Sequence, residues 1–459
     1  MDSKHIRSLL ALALVLVASW FGGYYIPKMM RSGEQSPITP PPVLTGDPHV
    51  DDFRHLSWLL REKWSWLEMR ENQGLSLDAL EEEALALSKA ELGERGFLRG
   101  LTRYISGISD GHGSAGLADV DLGEELKWPF TLIEVEEGVM VDGIGPTLFK
   151  SEALKRGDLI LAVDGRTIDE VIHDAERFVF ASTPGSRRRK AIYLLTANSA
   201  QESLIVQALR MGESEPITIE VPCILPSEPV PKYAWRNFKW KFEEIDSETA
   251  YLCIGDFVCE DSGFKAAGAG ERNEMVAETF DVYAATFEKV CQKSNLVLDL
   301  RGNGGGTDLL GQALGLHLME PGFRYFRLSS RRNGSWFKTG WQCPEVGRET
   351  PRFTGRLVCL IDEKSFSTTD NLASSLRDER SNTTFIGQPT GGGSGAPRSF
   401  TLPSTGAHVR FCTMRVFAPD DTYIEGNGVQ PDLLVRPTRA QMLAGEDAVL
   451  EAAVRSLKN

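Results

Sequence analysis

Two serines stand where the chain turns from an apolar run into a helical one. The segment Ile361-Asp362-Glu363-Lys364-Ser365-Phe366-Ser367-Thr368-Thr369-Asp370 carries them. A hydroxyl at the opening of a helix lies in the positive field of its N-terminus, which favours developing negative charge. The same letters fit a blander role, because Ser367-x-x-Asp370 also spells a capping box. A second segment, Leu298-Asp299-Leu300-Arg301-Gly302-Asn303-Gly304-Gly305-Gly306, opens a buried strand into glycines. Successive backbone N–H groups at such a sheet edge can bind an anion. A phosphate loop would need Lys and Ser or Thr after the glycines, and Thr307-Asp308 does not supply them. A dinucleotide fingerprint would find Gly302 and Gly304 in its first two positions, but Thr307 fails the last. An oxyanion-binding loop fits better, with a plain tight turn as the alternative. Three further segments hold one reactive group or a glycine cluster each: Ser109-Asp110-Gly111-His112-Gly113, Gly387-Gln388-Pro389-Thr390-Gly391-Gly392-Gly393, and Tyr423-Ile424-Glu425-Gly426-Asn427-Gly428-Val429. Taken singly, each reads as a loop.

The elements that must position these groups fall into blocks. Residues 50–107 read as helices, with Leu56, Leu59, Leu60, Trp64 and Trp66 on an apolar stripe and an Ala/Leu/Glu-rich run from Leu80 to Leu92. Residues 127–222 look β-rich. There Gly157-Asp158 turns into an apolar strand, and Asp164-Gly165 is a hairpin signal. From about 233 the pattern becomes α/β. Strands are expected over Tyr251–Val258, Leu296–Leu300, Leu357–Ile361, Val409–Val416 and Leu433–Val435. Helices are expected over Glu274–Cys291, Asp308–Met319, Thr368–Arg377 and Ala440–Leu457. The nearly continuous apolar strands suit a parallel sheet covered on both faces.

Composition narrows the classes. A chain of 459 residues is too long for one ordinary domain. A formal net charge of −14 excludes nucleic acid as the main partner, since phosphate binding needs a concentrated basic surface. The seven cysteines (Cys223, Cys253, Cys259, Cys291, Cys343, Cys359 and Cys412) show no C-x-x-C spacing, so zinc and thioredoxin-like readings are poor and few or no disulfides are expected. At the N-terminus Lys4 and Arg7 precede an uncharged run from Ser8 to Ile26, and Lys28 and Arg31 follow it. This reads as an export signal, either a cleaved peptide or an uncleaved membrane anchor. A Pro-rich spacer comes next. The expected division is therefore 1–31 signal or anchor, 32–47 linker, 48–126 N-terminal helical segment, 127–232 β domain and 233–459 α/β core.

In this order the motifs resemble the tail-specific, or C-terminal processing, serine peptidases. The shared marks are DGH at 110–112, a PDZ-like insert, LDLRGNGGG at 298–306, the S-x-S helix start, GQPTGG at 387–392 and EGNGVQPD at 425–432. The resemblance covers roughly residues 50–440 and implies an α/β core of crotonase-like (ClpP-like) fold. One branch of the family pairs its serine with a lysine in the loop after the nucleophile helix. Here that loop is Thr390-Gly391-Gly392-Gly393, and no lysine occurs between Lys364 and Lys458. The other branch resembles the tricorn-protease core and uses Ser, His and Glu. It implies Ser367 as nucleophile, with Ser365 the next candidate, His112 as base and Glu425 as its orienting partner. It also implies an oxyanion hole from the N–H of Thr368 and the Gly304-Gly305-Gly306 loop. Gly111 departs from the tricorn pattern, which has a hydroxyl residue before the histidine. The resemblance calls for no cofactor and no metal. Protein or peptide substrates are expected outside the cytoplasm, with a membrane contact through residues 8–26. The alternative is a non-catalytic ligand- or peptide-binding protein on the same scaffold.

Overall fold

The computed structural model describes residues 39–458 apart from 92, 118–124, 152, 198, 200, 232–239, 259–268, 333 and 345–349. Residues 8–26, expected to be an export signal or anchor, and Cys259 lie outside the described residues. Among the described residues no helix is long and apolar enough to cross a membrane.

The apolar runs of the C-terminal half assemble into one mixed sheet. Its order is Leu433–Leu434, Thr383–Gly387, Arg356–Ile361, Asn295–Asp299, Thr249–Cys253 and Lys241–Glu244. Every pairing is parallel except the last, where the edge strand Lys241–Glu244 runs antiparallel. Asn295–Asp299 and Thr249–Cys253 are buried along their whole length, in keeping with their mostly apolar character. One face packs the helices Ala269–Val290, Asp308–Leu316 and Thr368–Glu379 through Tyr283, Phe287, Leu310, Leu314 and Leu372. The other face is covered by the C-terminal helix Ala448–Lys458 through Val449, Ala453 and Leu457. The long helix expected at the C-terminus is two helices, Arg439–Ala444 and Ala448–Lys458. Gly445, with φ of 73°, ends the first in the left-handed conformation that glycine reaches without a Cβ penalty. The strand expected over Val409–Val416 is likewise two, His408–Cys412 and Met414–Phe417.

Residues 130–222 form a separate antiparallel sheet in the order Phe130–Val135, Gly138–Ile144, Leu159–Val163, Ser203–Leu209, Ile217–Pro222. The short strand Arg166–Thr167 pairs with Leu159–Val163 through the Asp164-Gly165 turn. Two helices absent from the β-rich expectation, Ile168–Glu176 and Pro184–Ala197, pack on it. Their start signals are local: a Thr167-to-Glu170 capping box opens the first, and Pro184 is the first residue of the second.

The N-terminal helices Pro48–Lys63, Leu77–Ala90 and Gly93–Gly107 share an apolar cluster with Val409, Phe411 and Cys412. The strand Ser114–Gly116 then pairs antiparallel with His408–Cys412. This pairing fixes the histidine turn against the C-terminal half.

Candidate active site

Ser367 sits at the junction of strand and helix. It precedes the helix Thr368–Glu379, with φ of 63° and ψ of −117°. For a residue with a Cβ this backbone is strained by roughly 1–3 kcal/mol and persists only where surroundings impose it. They do so here through four bonds. Ser367 N–H donates to Gly393 C=O (3.1 Å) and to Asp370 Oδ2 (3.0 Å), Phe366 N–H donates to Asn303 C=O (3.0 Å), and Asn371 N–H donates to Ser367 C=O (3.0 Å). The strained turn aims Ser367 Oγ at His112 Nε2, 3.2 Å away. Ser365 is not equivalent. It is fully buried and its hydroxyl donates to Leu300 C=O at 2.8 Å.

His112 is held by the residue two before it. The fully buried Asp110 accepts from His112 N–H (3.0 Å), Trp64 Nε1 (3.0 Å) and Cys412 N–H (2.8 Å). One carboxylate thus joins the end of an N-terminal helix, the histidine turn and the strand His408–Cys412. The His112 ring stacks obliquely against Phe366, with centroids 4.6 Å apart. Its far nitrogen, Nδ1, faces Cys412 Sγ at 3.6 Å. Burial is the largest influence on the imidazole and lowers its pKa to about 4. Asp110 opposes that shift, and Arg410 and Lys190 reinforce it. Loss of solvent thus outweighs the neighbouring carboxylate.

Glu425 is buried and reaches the histidine loop differently from the expected triad. Its Oε1 accepts from Gly111 N–H (3.1 Å) and Ser182 Oγ (2.5 Å), so its hydrogen bonds go to the backbone beside His112 and not to the ring. Oε2 is buried without a partner. Burial, followed by the charge of Asp110, raises this carboxyl to about 8. Ser182 was not singled out by sequence. It lies in the inserted β unit, and a Cβ built on Gly111 would fall 2.2 Å from its hydroxyl. The Ser182 hydroxyl, from 71 positions later in the chain (182 − 111), thus occupies the space that a side chain at position 111 would take.

The proposed oxyanion donors divide. Gly305 N–H donates to Asn303 Oδ1 (2.9 Å) and is directed inward, so Gly305 is corrected as a donor. Its role is close approach: with φ of 93°, a Cβ would meet Phe366 O at 2.6 Å and Ser367 Cβ at 2.7 Å. The N–H groups of Gly304, Gly306 and Thr368 make no hydrogen bond among the described residues. Thr368 Oγ1 donates to Gly306 C=O (3.0 Å) and Thr369 Oγ1 to Asn303 C=O (3.1 Å), pinning loop to helix. Asn303, which sequence reading passed over, also donates through Nδ2 to Ile254 C=O (2.9 Å).

In the loop where the Ser/Lys branch carries its lysine, the fully buried Asp370 is the organiser. It accepts from Thr390 Oγ1 (2.5 Å), Gly392 N–H (3.1 Å) and Gly393 N–H (3.0 Å), besides Ser367 N–H. One lysine does lie nearby. Lys190 is mostly buried, and burial lowers its amine to about 8, but it donates to Phe180 C=O and stands 5.5 Å from the Phe366 ring. His112 is the group at bonding distance from Ser367.

This geometry meets an independent likeness. Residues 249–435 match the model of peptidase family S41. The chain carries that family's domain and is a serine-type peptidase, a hydrolase. Ser367, Glu425, Asp370 and the Gly304–Gly306 loop lie inside the matched stretch, whereas His112 and Ser182 precede it. No curated protein sequence matches the chain. In fold, the chain is similar to mature CPAF in complex with lactacystin, with a TM-score of 0.70 at 13% identity over 89% of this chain and 97% of that one. Mature CPAF by itself gives 0.68 at 14%, over 86% and 94%. A candidate peptidase from Parabacteroides merdae gives 0.50 at 17%, over 89% and 96%.

Proposed function

We infer that this serine peptidase is an extracytoplasmic endopeptidase cutting proteins near their C-terminal tails through an acyl-enzyme. Its nucleophile is Ser367, its general base His112, and its positioning residue Glu425. The observation that carries this reading is the 3.2 Å approach of His112 Nε2 to Ser367 Oγ, on a serine held at positive φ between strand and helix. His112 Nε2 takes the hydroxyl proton as Oγ attacks the peptide carbonyl, then returns it to the leaving amine. Water repeats the cycle on the ester. The N–H of Thr368 with those of Gly304 and Gly306 faces the oxyanion, each donor contributing roughly 3–4 kcal/mol in the transition state. Burial keeps the imidazole neutral, the form a base requires. Glu425 acts on the backbone of the histidine loop.

The core is read as crotonase-like and the unit at 127–232 as PDZ-like. A cavity of about 440 Å³ supports a tail-binding role, because it lies between them. The edge strand and a helix of the β unit line one wall with Leu132, Ile133 and Tyr193. The core lines the other with Lys364, Gln388 and Arg436. Residues 8–26 serve as export signal or membrane anchor, placing the body in the periplasm or at the cell surface.

A fluorophosphonate probe tests the chemistry. It should label the protein, and Ser367→Ala should lose both labelling and peptide hydrolysis, by about 10⁶-fold in kcat, while staying folded. Undiminished labelling of that variant would move the nucleophile elsewhere.

A further inference from the structure

Four side chains converge around His112. A ring nitrogen of His112, Cys412 Sγ and one carboxylate oxygen each from Asp110 and Glu425 all lie within 4.8 Å of one another. His112 Nδ1 and Cys412 Sγ are 3.6 Å apart. Zinc binds imidazole nitrogen at about 2.0–2.1 Å and thiolate at about 2.3 Å, which puts two such ligands of a tetrahedral ion roughly 3.6 Å apart. An independent feature points to a ligand at the same place. Glu425 is 1% exposed, yet its Oε2 has no hydrogen-bond partner. Such a buried, unsatisfied oxygen is costly unless something occupies it. Asp110 differs, since both its oxygens already accept N–H groups.

We propose that His112 Nδ1, Cys412 Sγ and Glu425 Oε2 form an inhibitory Zn²⁺ site, with Asp110 or a water as fourth ligand. The chemistry balances simply. Cys412 and the Glu425 carboxyl each release a proton to solvent and bind as thiolate and carboxylate. Nδ1 gives its lone pair to the metal, so the single proton of the neutral ring must reside on Nε2. That nitrogen then donates toward Ser367 Oγ and can no longer accept the serine's proton. The base is switched off by its tautomer while the fold and the nucleophile stay in place. Zinc bound behind the ring leaves the substrate side open, so inhibition falls on kcat and spares KM. The thiolate selects against Mg²⁺ and Ca²⁺, which prefer oxygen ligands. The inhibitory half of this proposal rests on the Ser367–His112 reading; the binding half does not.

The test uses the full chain with the two cysteines that are exposed among the described residues removed as Cys291→Ser and Cys343→Ser. After chelator treatment, equilibrium dialysis should find one Zn²⁺ per chain, and Co²⁺ should develop a thiolate-to-metal charge-transfer absorption band. Zinc should lower kcat by about 10²-fold or more, the contribution of a general base, with KM little changed and full recovery on chelation. Mg²⁺ should do neither. Adding Cys412→Ala should abolish the cobalt band and the tight zinc binding. If that variant does not fold, the cobalt spectrum of the Cys412-bearing protein decides alone. Absence of stoichiometric zinc, absence of a thiolate band, or zinc binding without loss of kcat would each overturn the proposal. Failure of the metal-free protein to hydrolyse peptides or react with the probe would instead count against the catalytic reading, and the two binding measurements would still stand.

Discussion

The two glycine-rich loops, 302–306 and 391–393, flank the same serine and look alike on paper, yet they do opposite things with their N–H groups. The first leaves the N–H groups of Gly304 and Gly306 without a partner among the described residues, beside the nucleophile turn. The second turns those of Gly392 and Gly393 onto the buried carboxylate of Asp370. One loop keeps its amides free of protein acceptors, as the proposed oxyanion hole requires. The other already holds an anion that belongs to the protein. Glycine content therefore identifies backbone that can bind negative charge, and only the three-dimensional neighbours say whose charge it is.

This contrast can be broken from the second loop. Asp370→Ala should strand four donors, those of Ser367, Thr390, Gly392 and Gly393. We expect a loss of about 3 kcal/mol in denaturant unfolding and about 10²–10³-fold in kcat, the latter because the serine turn is released. Asp370→Asn should be milder on both. A near-normal Asp370→Ala enzyme would mean the second loop has no organising role.

From the first loop the contrast can be sharpened within three residues. Gly305→Ala forces a Cβ into Phe366 and Ser367 at φ of 93°, so kcat should drop by about 10²-fold. Gly304→Ala meets nothing within 4 Å and should stay within about threefold of the parent. Equal losses would argue that the loop acts through flexibility and not through approach.

The relocated hydroxyl gives a smaller effect. Ser182→Ala removes one buried hydrogen bond to Glu425, worth about 1 kcal/mol, and should cost about five- to tenfold in kcat/KM. Gly111→Ser alone collides with the Ser182 hydroxyl at 2.2 Å and, less severely, with the Phe366 ring at 2.8 Å, which must shift slightly. Combined with Ser182→Gly it should recover activity lost by either single change. Additive losses would deny that the two positions share one place.

The smallest expected signature is in pH. A raised histidine pKa would make the base protonate, and activity fall, above the ordinary 6.5. Burial lowers the His112 value toward about 4, so in chelator-treated protein the acid limb of kcat/KM should lie below 6.5. A limb above 7 would favour charge stabilisation by Glu425 over desolvation.

Much of this was legible in the chain, for definite reasons. Val297 and Leu298 announce a strand buried on both faces because a parallel sheet leaves no polar side. Ser367 and His112 were legible because glycines and helix starts mark places where a reactive group can be exposed. What escaped was long-range. Ser182 sits two residues before a proline in an unremarkable stretch, and nothing local says its hydroxyl will meet Glu425, 243 residues on. Asp370 looked like a helix cap, which describes its bond to Ser367 N–H, but its three bonds to the 390–393 loop depend on the fold. The direction of the His112 shift was not legible either, because sequence displays charges and conceals solvent exclusion.

The strand His408–Cys412 seals the histidine turn against the C-terminal half, and this has a consequence for biosynthesis. His112 and Ser367 are 255 residues apart, and Gly111 and Glu425 are 314 apart. At roughly 5–20 residues per second, a ribosome makes the histidine loop between about 16 seconds and a minute before the glutamate that secures it. On the proposed assignment, the nascent polypeptide has throughout that interval a base with no nucleophile, and then a nucleophile whose base is not yet clamped. Proteolytic competence thus comes late in translation, so a prematurely terminated product would carry the fragments of a hydrolytic centre without the power to cut its neighbours.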